Sequence, residues 1–369
     1  MNYLFLALLI IFFGCDSKDS PGVEPPPEIE VYLTVTPGEL SFDASGSTKN
    51  ISVTANTGWT VSTGATWCAV NPKSGSMGTA NVSVSAPANY TDAARTAELI
   101  FTAGSTSKKC VISQDFIAMP SYVPEGYTLV WQDEFNDPRL PDGKAAMPGA
   151  SRWWFETGAG GWGNNELQNY IARFSGKDTC AQVYNGTLKI IAKKVGTQVL
   201  SIRMNTNESW TYGYFEARLK LPVGKGTWPA FWMLPKNFVN WPADGEIDIM
   251  EHVGYRPNYI SSSIHCKAYY HSIGTQKTAE KYVSTAQSDF HIYAVEWTED
   301  YIYGFVDGAR YFAFSNDQKG NRDTWPFNAP FYLKLNLAWG GDWGGAQGVD
   351  ESVLPATYEI DYVRVYQRK

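Results

Sequence analysis

Charge is scarce in this chain of 369 residues, of which only 18% are Asp, Glu, Lys or Arg. The formal net charge is −7, and the chain contains no run of Lys or Arg. A chain without a basic cluster lacks the electrostatic footprint of nucleic-acid binding or of adhesion to an anionic membrane surface. We therefore expect no nucleic-acid partner.

Cysteine is also rare, with five residues in the chain. The four that follow Cys15 have neither CxxC nor metal-ligand spacing, so no zinc site is indicated. Cys68 and Cys110 fall within one predicted domain and could pair in an oxidising compartment. Two separate buried thiols agree equally well with the sequence.

The only long apolar run is MNYLFLALLIIFFGC, residues 1–15, which is too short to span a bilayer as a mature helix and predicts an export signal. Its end, FFGC, resembles a bacterial lipoprotein cleavage site, which implies lipidation of Cys15 and a lipid anchor. The expected location is then the outer membrane or cell surface, or the periplasm. An uncleaved anchor or a core segment is the alternative. Residues 16–30, DSKDSPGVEPPPEIE, predict a Pro-rich tether.

Residues 31–116 consist of short, alternating, β-branched segments separated by turn residues, such as NISVTAN, NVSVSA and AELIFTA. This pattern is typical of a small, immunoglobulin-like β-sandwich. The succession of GWTV, ATWCAVNPKSGS and CVISQ resembles a BACON domain, a module that often precedes secreted polysaccharide-degrading enzymes. Trp59 and Trp67 could present a sugar-binding face, but we favour core positions for both rings and a spacer role for the domain.

Two prolines in residues 117–124 mark a linker. Strand-like runs then recur through residues 125–369, including YTLVWQDEF, GYFEARLKL, HIYAVEWTE and FYLKLNLAWGG, and no long helical period competes with them. The chain is therefore predicted to be all-β, with a large jelly-roll β-sandwich as its main domain.

One segment, GEIDIMEHVG, carries three carboxylates: Glu246, Asp248 and Glu251. Side chains alternate between the faces of a strand, so a separation of five would send Glu246 and Glu251 to opposite faces. A β-bulge within residues 249–251 would restore a shared face. Two carboxyls flanking a glycosidic bond suffice for its hydrolysis. We therefore assign Glu246 as ionised nucleophile, Glu251 as acid/base and Asp248 as the group that positions Glu246. A solvated acidic face or a cation site is the alternative.

The surroundings of this segment resemble glycoside hydrolase family 16, particularly its laminarinase-like branch. The resemblance rests on GTWPAFWMLPKNFVNWPADGEIDIMEHVG together with WQDEFND, GWGNNELQNY, NGTLKI, NLAWGG and IDYVRVYQ. It implies a retaining endo-hydrolase of β-1,3- or mixed-linkage β-1,3/1,4-glucans that needs no cofactor for catalysis, and the same three acidic roles. A non-catalytic glucan-binding protein and a hydrolase of another polysaccharide, such as a galactan, are the alternatives. We expect a monomer.

The resemblance and the residue chemistry also nominate a set of substrate-binding residues. Rings and polar groups that could line the cleft are Trp228, Trp232, Trp241, Asn165, Glu166, Arg203 and His265, with core or surface positions as the alternative for each. His265 is expected on the strand after the acidic one, near Glu251. The resemblance further implies one structural Ca²⁺, held by backbone oxygens at Glu134 and Gly186 and by the carboxylate of Asp361.

Overall fold

The computed structural model describes residues 30–89, 93–116, 120–136, 147–172 and 179–368. Two compact units divide between Asp115 and Phe116. The predicted export signal, its Cys15 and all but the last residue of the 16–30 tether lie outside the described residues. Within the described ranges, no helix combines the length and the apolar character needed to cross a membrane.

The first unit contains a four-stranded sheet in the order β1-β3-β7-β5 and a five-stranded sheet in the order β2-β9-β8-β4-β6. The strands are β1 Leu33–Thr36, β2 Glu39–Phe42, β3 Ser47–Ala55, β4 Trp59–Ser62, β5 Ala69–Asn71, β6 Ser74–Gly75, β7 Gly78–Ala86, β8 Arg95–Ala103 and β9 Thr106–Gln114. Alternate residues of β3, β7, β8 and β9 are buried, as the period of two in the sequence predicts. The predicted small β-sandwich is confirmed.

Four side chains of this unit answer questions that the sequence left open. Trp59 is buried in the core, and Trp67 packs against that core with the guanidinium of Arg95 4.5 Å from its ring centroid. Cys68 and Cys110 are both buried and form no disulfide. The structure thus favours separate thiols and a core role for Trp59.

The second unit is a sandwich of two large sheets. One is ten-stranded, in the order β12-β15-β14-β26-β17-β22-β23-β24, with β10 also paired to β26 and β13 to β14. Its strands are β10 Tyr127–Asp133, β12 Gln168–Tyr170, β13 Ala181–Tyr184, β14 Thr187–Val195, β15 Gln198–Ser201, β17 Gly213–Lys220, β22 His291–Trp297, β23 Tyr301–Val306, β24 Ala309–Ser315 and β26 Ala356–Arg368.

The other sheet is seven-stranded, in the order β11-β16-β25-β18-β19-β20-β21. Its strands are β11 Trp153–Glu156, β16 Arg203–Thr206, β18 Thr227–Pro235, β19 Glu246–Glu251, β20 Tyr259–His265, β21 Lys277–Tyr282 and β25 Phe331–Trp339. One short helix, α1 Gly341–Gly344, and two 3₁₀ turns, His271–Ile273 and Glu351–Val353, complete the described elements. The predicted all-β jelly-roll architecture is confirmed.

The core of the second unit lies between these two sheets. The seven-stranded sheet directs Phe231, Met233, Ile247 and Leu335 into it, and all four are fully buried. The neighbouring residues on the same strands, including Trp232 and Asp248, therefore point to the opposite face. That outer face carries the acidic segment.

Candidate active site

The acidic strand β19 contains the predicted bulge. Against β20, Asp248 pairs with Ser263 and Glu251 with Ser261, so that two residues of β19 lie opposite one of β20. The same shift occurs against β18, between Phe231 and Trp232. The two residues of this bulge, Ile249 and Met250, are both buried in the core, and one of them is the additional residue. The bulge prediction is confirmed, and it returns Glu251 to the face that carries Glu246 and Asp248.

A side chain replaces a ladder hydrogen bond at this bulge. The hydroxyl of Ser262 donates to the backbone carbonyl of Asp248 at 2.8 Å. A buried carbonyl without a partner would be costly, so this bond stabilises the irregular backbone. At the start of the strand, Gly245 has φ 93°, a conformation that side chains rarely adopt, and it turns the chain into β19.

The three acids form one electrostatic cluster with His265. The imidazole Nε2 of His265 lies 3.3 Å from Asp248 Oδ2 and 4.0 Å from Glu246 Oε1. Ligand atoms of Glu246, Asp248 and His265 all fall within 4.8 Å of one another, so this group could also hold a cation. His265 lies on the predicted strand, where the register of β20 pairs it with Glu246. Its charge also lowers the pKa of Glu251, and the expected hydrogen bond near Glu251 stays a prediction.

Burial raises the pKa of all three carboxyls. The pKa of Glu246 rises to about 8 through burial and the charges of Asp248 and Glu251, against the opposing effects of His265 and Arg203. The pKa of Asp248 rises to about 8 through burial. For Glu251, burial and then Asp248 raise the pKa to about 8, while the charge of His265 and a hydrogen bond from Trp228 lower it. Near neutral pH the cluster therefore retains protons, and its coupled carboxyls share them unequally.

Trp228 and Trp232 flank the acids from strand β18, and both rings are partly exposed. The indole N–H of Trp228 donates to Glu251 Oε1 at 3.1 Å, whereas that of Trp232 donates to Asn336 Oδ1 at 2.7 Å. Both predicted rings thus lie on the face of the acids. Of the two, Trp228 donates a hydrogen bond to an acid, and Trp232 is paired with Asp248 across the strands.

Arg203 belongs to a buried ionic group beside Trp232. Its Nε donates to Glu156 Oε2 at 2.5 Å, and Lys334 Nζ donates to the same oxygen at 2.8 Å. The guanidinium lies 4.9 Å from the ring centroid of Trp232 and 4.8 Å from that of Trp162. Its side chain is only 12% exposed, so the surface alternative for Arg203 is excluded.

The loop before β12 places Asn165 and Glu166 differently from each other. Asn165 is exposed, with φ 53°, and its amide donates to Asp342 at 2.9 Å. Glu166 is buried and accepts hydrogen bonds from Gln168 at 2.6 Å and Tyr170 at 3.3 Å. The expectation that Glu166 offers its carboxylate to sugar hydroxyls needs correction, since its partners already lie within the protein. Burial raises its pKa.

Trp241 projects from the loop before the acidic strand. It is 38% exposed, and its ring centroid lies 5.9 Å from that of His265 and 5.1 Å from that of His271. Asp244 holds this loop, because its carboxylate accepts the backbone N–H groups of residues 239 and 240 at 2.8 and 2.7 Å. The predicted residue therefore lies beside the acidic cluster.

Sequence reasoning missed several polar residues on this face. Lys334 and Asn336 lie on β25 directly opposite Trp232 and Ala230. Their alternation within the otherwise apolar FYLKLNLAW was a usable signal, because a polar residue at every second position marks a face turned away from the core. Trp343, whose ring centroid lies 5.4 Å from that of Trp228, was also missed.

The three predicted calcium positions lie away from this site, and two have protein partners. The Glu134 carboxylate accepts two hydrogen bonds from Arg364 at 2.8 and 2.9 Å, and the Asp361 carboxylate accepts one from Arg218 at 2.6 Å. Gly186 turns the chain between β13 and β14 with φ 73°. A calcium ion would have to share Asp361 with Arg218, and the site stays a prediction.

An all-β sandwich with coupled carboxyls flanked by indole rings has the equipment of a glycoside hydrolase. A family model described as glycosyl hydrolases family 16 matches residues 168–364, and the BACON model, described as an N-terminal binding domain, matches residues 57–115. The chain belongs to glycoside hydrolase family 16.

Similar proteins agree with this assignment. A β-glucanase of Rhodothermus marinus is 45% identical over 255 residues, which cover 65% of this chain and 85% of that protein. The solved laminarinase of Rhodothermus marinus has 43% identity and a TM-score of 0.60, over 65% of this chain and 96% of its own. SCLam, a non-specific endo-β-1,3(4)-glucanase of the same family, has 44% identity and a TM-score of 0.62, over 68% of this chain and 95% of its own.

Proposed function

We propose that this protein is a retaining endo-hydrolase of β-glucans, acting on β-1,3-glucan, on mixed-linkage β-1,3/1,4-glucan, or on both. The observation that carries the proposal is the bulge at Ile249 and Met250, which gathers Glu246, Asp248 and Glu251 on one face. The names of the similar proteins support the substrate class.

In the proposed first step, the carboxylate of Glu246 attacks the anomeric carbon while Glu251 protonates the departing glycosidic oxygen. Attack needs an ionised Glu246, whose pKa burial and the charges of Asp248 and Glu251 raise to about 8, while His265 and Arg203 oppose this rise. Protonation needs a neutral Glu251, whose pKa burial raises to about 8. The two carboxyls are coupled, and we assign the first proton lost to Glu246, because Arg203 favours its charge and the negative charge so formed keeps Glu251 protonated.

In the second step, Glu251 accepts a proton from water, and the resulting hydroxide breaks the bond between the sugar and Glu246 with net retention. Asp248 lies between the glutamates and close to His265. When protonated, Asp248 can donate a hydrogen bond to Glu246 and so orient it, because burial raises its pKa to about 8.

Digestion of laminarin, barley-type mixed-linkage glucan and agarose in parallel, with chromatography of the products, tests this function. Oligosaccharides of several lengths from one or both glucans are expected, and agarose should remain intact. Cleavage of agarose alone would favour the galactan alternative. Binding without cleavage of any substrate would favour the non-catalytic glucan-binding alternative.

The proposal includes a lipid anchor on Cys15 that holds an exported protein at the outer membrane or cell surface. The apolar run of residues 1–15 and its FFGC ending support it. Cys15→Ala should release the enzyme from the membrane fraction of an expressing bacterium. Unchanged membrane attachment of this variant would contradict the anchor.

We also propose that a structural calcium ion binds at Glu134, Gly186 and Asp361. Metal analysis of the purified enzyme should find about one Ca²⁺ per chain, and chelation should lower the temperature of thermal unfolding without a change in mechanism. Metal-free protein with an unchanged unfolding temperature would remove this site.

A further inference from the structure

A row of paired residues crosses the outer face of the seven-stranded sheet, starting at the acids. Asp248 of β19 pairs with Trp232, Trp232 with Lys334, Lys334 with Asn205, and Asn205 with Trp154 of β11. Directly paired residues share a face, so Trp154 points to the same side as Asp248. Four strand spacings separate the two, about 19 Å in all.

Two aromatic rings lie at the far end of this row. The ring centroids of Trp154 and Tyr332 are 5.9 Å apart, and Trp154 is 40% exposed. The indole N–H of Trp154 donates to the backbone carbonyl of Thr206 at 3.2 Å, which restricts the orientation of the ring. An exposed ring whose orientation is already fixed can stack on a ligand at little cost in conformational entropy.

A buried lysine supports these rings from below. Lys334 has no exposed side-chain surface, and its Nζ lies 5.0 Å from the ring centroids of Tyr332 and Trp232 and 6.0 Å from that of Trp154. Its Nζ donates to Glu156 at 2.8 Å and to Asn205 at 2.5 Å, and burial lowers its pKa to about 7. Lys334 therefore orders the three rings without reaching a ligand itself.

We propose that Trp154 and Tyr332 form a distal platform that stacks on a sugar of the glucan several rings away from the bond that is cleaved. The inference rests on the proposed function for the identity of the sugar. The ligand is a β-linked glucan chain, because the platform continues the face that carries the catalytic acids and exposes ring faces rather than free charges. A glucan oligosaccharide too short to reach from the acids to Trp154 would not contact the platform.

The test compares Trp154→Ala with Tyr303→Ala as a matched control. Tyr303 is a partly exposed ring on the ten-stranded sheet, stacked on Tyr301 at 4.0 Å, with Arg310 4.5 Å from its ring centroid. Each variant thus loses an exposed or partly exposed ring that has a second ring and a basic side chain beside it: Tyr332 and Lys334 for Trp154, and Tyr301 and Arg310 for Tyr303. Kcat/KM is measured on β-glucan oligosaccharides of increasing length. Affinity for the polysaccharide is measured separately, by gel retardation, with each change placed in the Glu246→Gln background.

We expect Trp154→Ala to reduce kcat/KM about tenfold on long oligosaccharides, equivalent to about 1.4 kcal/mol, and to leave the shortest cleaved substrates unaffected. Tyr303→Ala should match the wild type at every length. An equal loss at all lengths, or no loss at any length, would overturn the platform.

The retardation experiment separates this inference from the proposed function. If the wild type cleaved no β-glucan but Trp154→Ala weakened binding to another polysaccharide of the panel, the proposed function would fail and the platform would stand with a different sugar. Equal retardation of the Trp154→Ala and Tyr303→Ala proteins would overturn the platform whatever the enzyme cleaves.

Discussion

The hydrogen bond from Trp228 to Glu251 allows a direct test of the acid/base assignment. Trp228→Phe keeps an aromatic ring but removes the N–H that donates to Glu251 Oε1 at 3.1 Å. This bond favours the ionised carboxylate and lowers the pKa of Glu251. Its removal should therefore raise that pKa further.

The magnitude follows from the strength of such a bond. A hydrogen bond to a charged group contributes about 1.5–3 kcal/mol, and one pKa unit corresponds to about 1.36 kcal/mol. Glu251 is partly exposed, and water can replace some of the lost bond, so a rise of about 0.5–1 unit is expected. Because the acid works in its protonated form, the basic limb of kcat/KM against pH should move upward by this amount.

Trp232→Phe is the matched control, because its indole N–H donates to Asn336 and not to a catalytic acid. Both variants lose the same atoms from a ring beside the acids. The pH profile of kcat/KM on a soluble glucan should shift for Trp228→Phe alone. Equal shifts in both variants, or an unchanged profile for Trp228→Phe, would refute the acid/base role argued for Glu251.

Four further predictions concern the acids, the bulge, a buried carboxyl and the first unit. Glu246→Gln and Glu251→Gln should each lower turnover by about 10²- to 10⁴-fold, with far-UV circular dichroism and glucan retardation unchanged; near wild-type turnover would contradict the assigned roles. Deletion of Ile249 should restore regular alternation, turn Glu251 inward and abolish hydrolysis, whereas Ile249→Val should keep activity; an active deletion variant would show that the bulge is dispensable. Burial raises the pKa of Glu216 to about 7, so its contribution to the free energy of unfolding is full below its ordinary pKa and falls as the pH rises to about 7. In denaturant titrations, the free energy of unfolding of Glu216→Gln should therefore rise relative to that of the wild type across this interval, by up to about 3 kcal/mol. A difference that stays constant with pH would contradict this. A protein without residues 16–116 should hydrolyse soluble glucan at close to the wild-type rate, and a large loss would mean that the first unit shapes the active site.

The bulge could be predicted because side-chain alternation is a strict local rule. A separation of five between Glu246 and Glu251 conflicts with a shared face, and only one additional residue resolves the conflict. The strand character of both units followed from the same alternation. These inferences need no knowledge of which strands are neighbours.

The position of His265 could not be predicted, because it depends on the register between two strands. The sequence places His265 on β20, but only the register of that strand shows that its imidazole lies nearest to Asp248 and Glu246. Glu166 was misjudged for a related reason: its loop is rich in Gly, yet Gln168 and Tyr170 come back to it from β12. The alternation of Lys334 with Asn336 indicated a face turned away from the core, but two of the rings beside Lys334 come from other strands, which the sequence alone does not place.

The anomeric configuration of the first-formed product tests the central claim most directly. Proton NMR during early hydrolysis of a β-glucan should show the new reducing end as the β-anomer, which mutarotation then equilibrates. Retention is expected when Glu246 and Glu251, which share one face of the sheet, flank the glycosidic bond and act in a double displacement. An α-anomer as the first product would contradict the account.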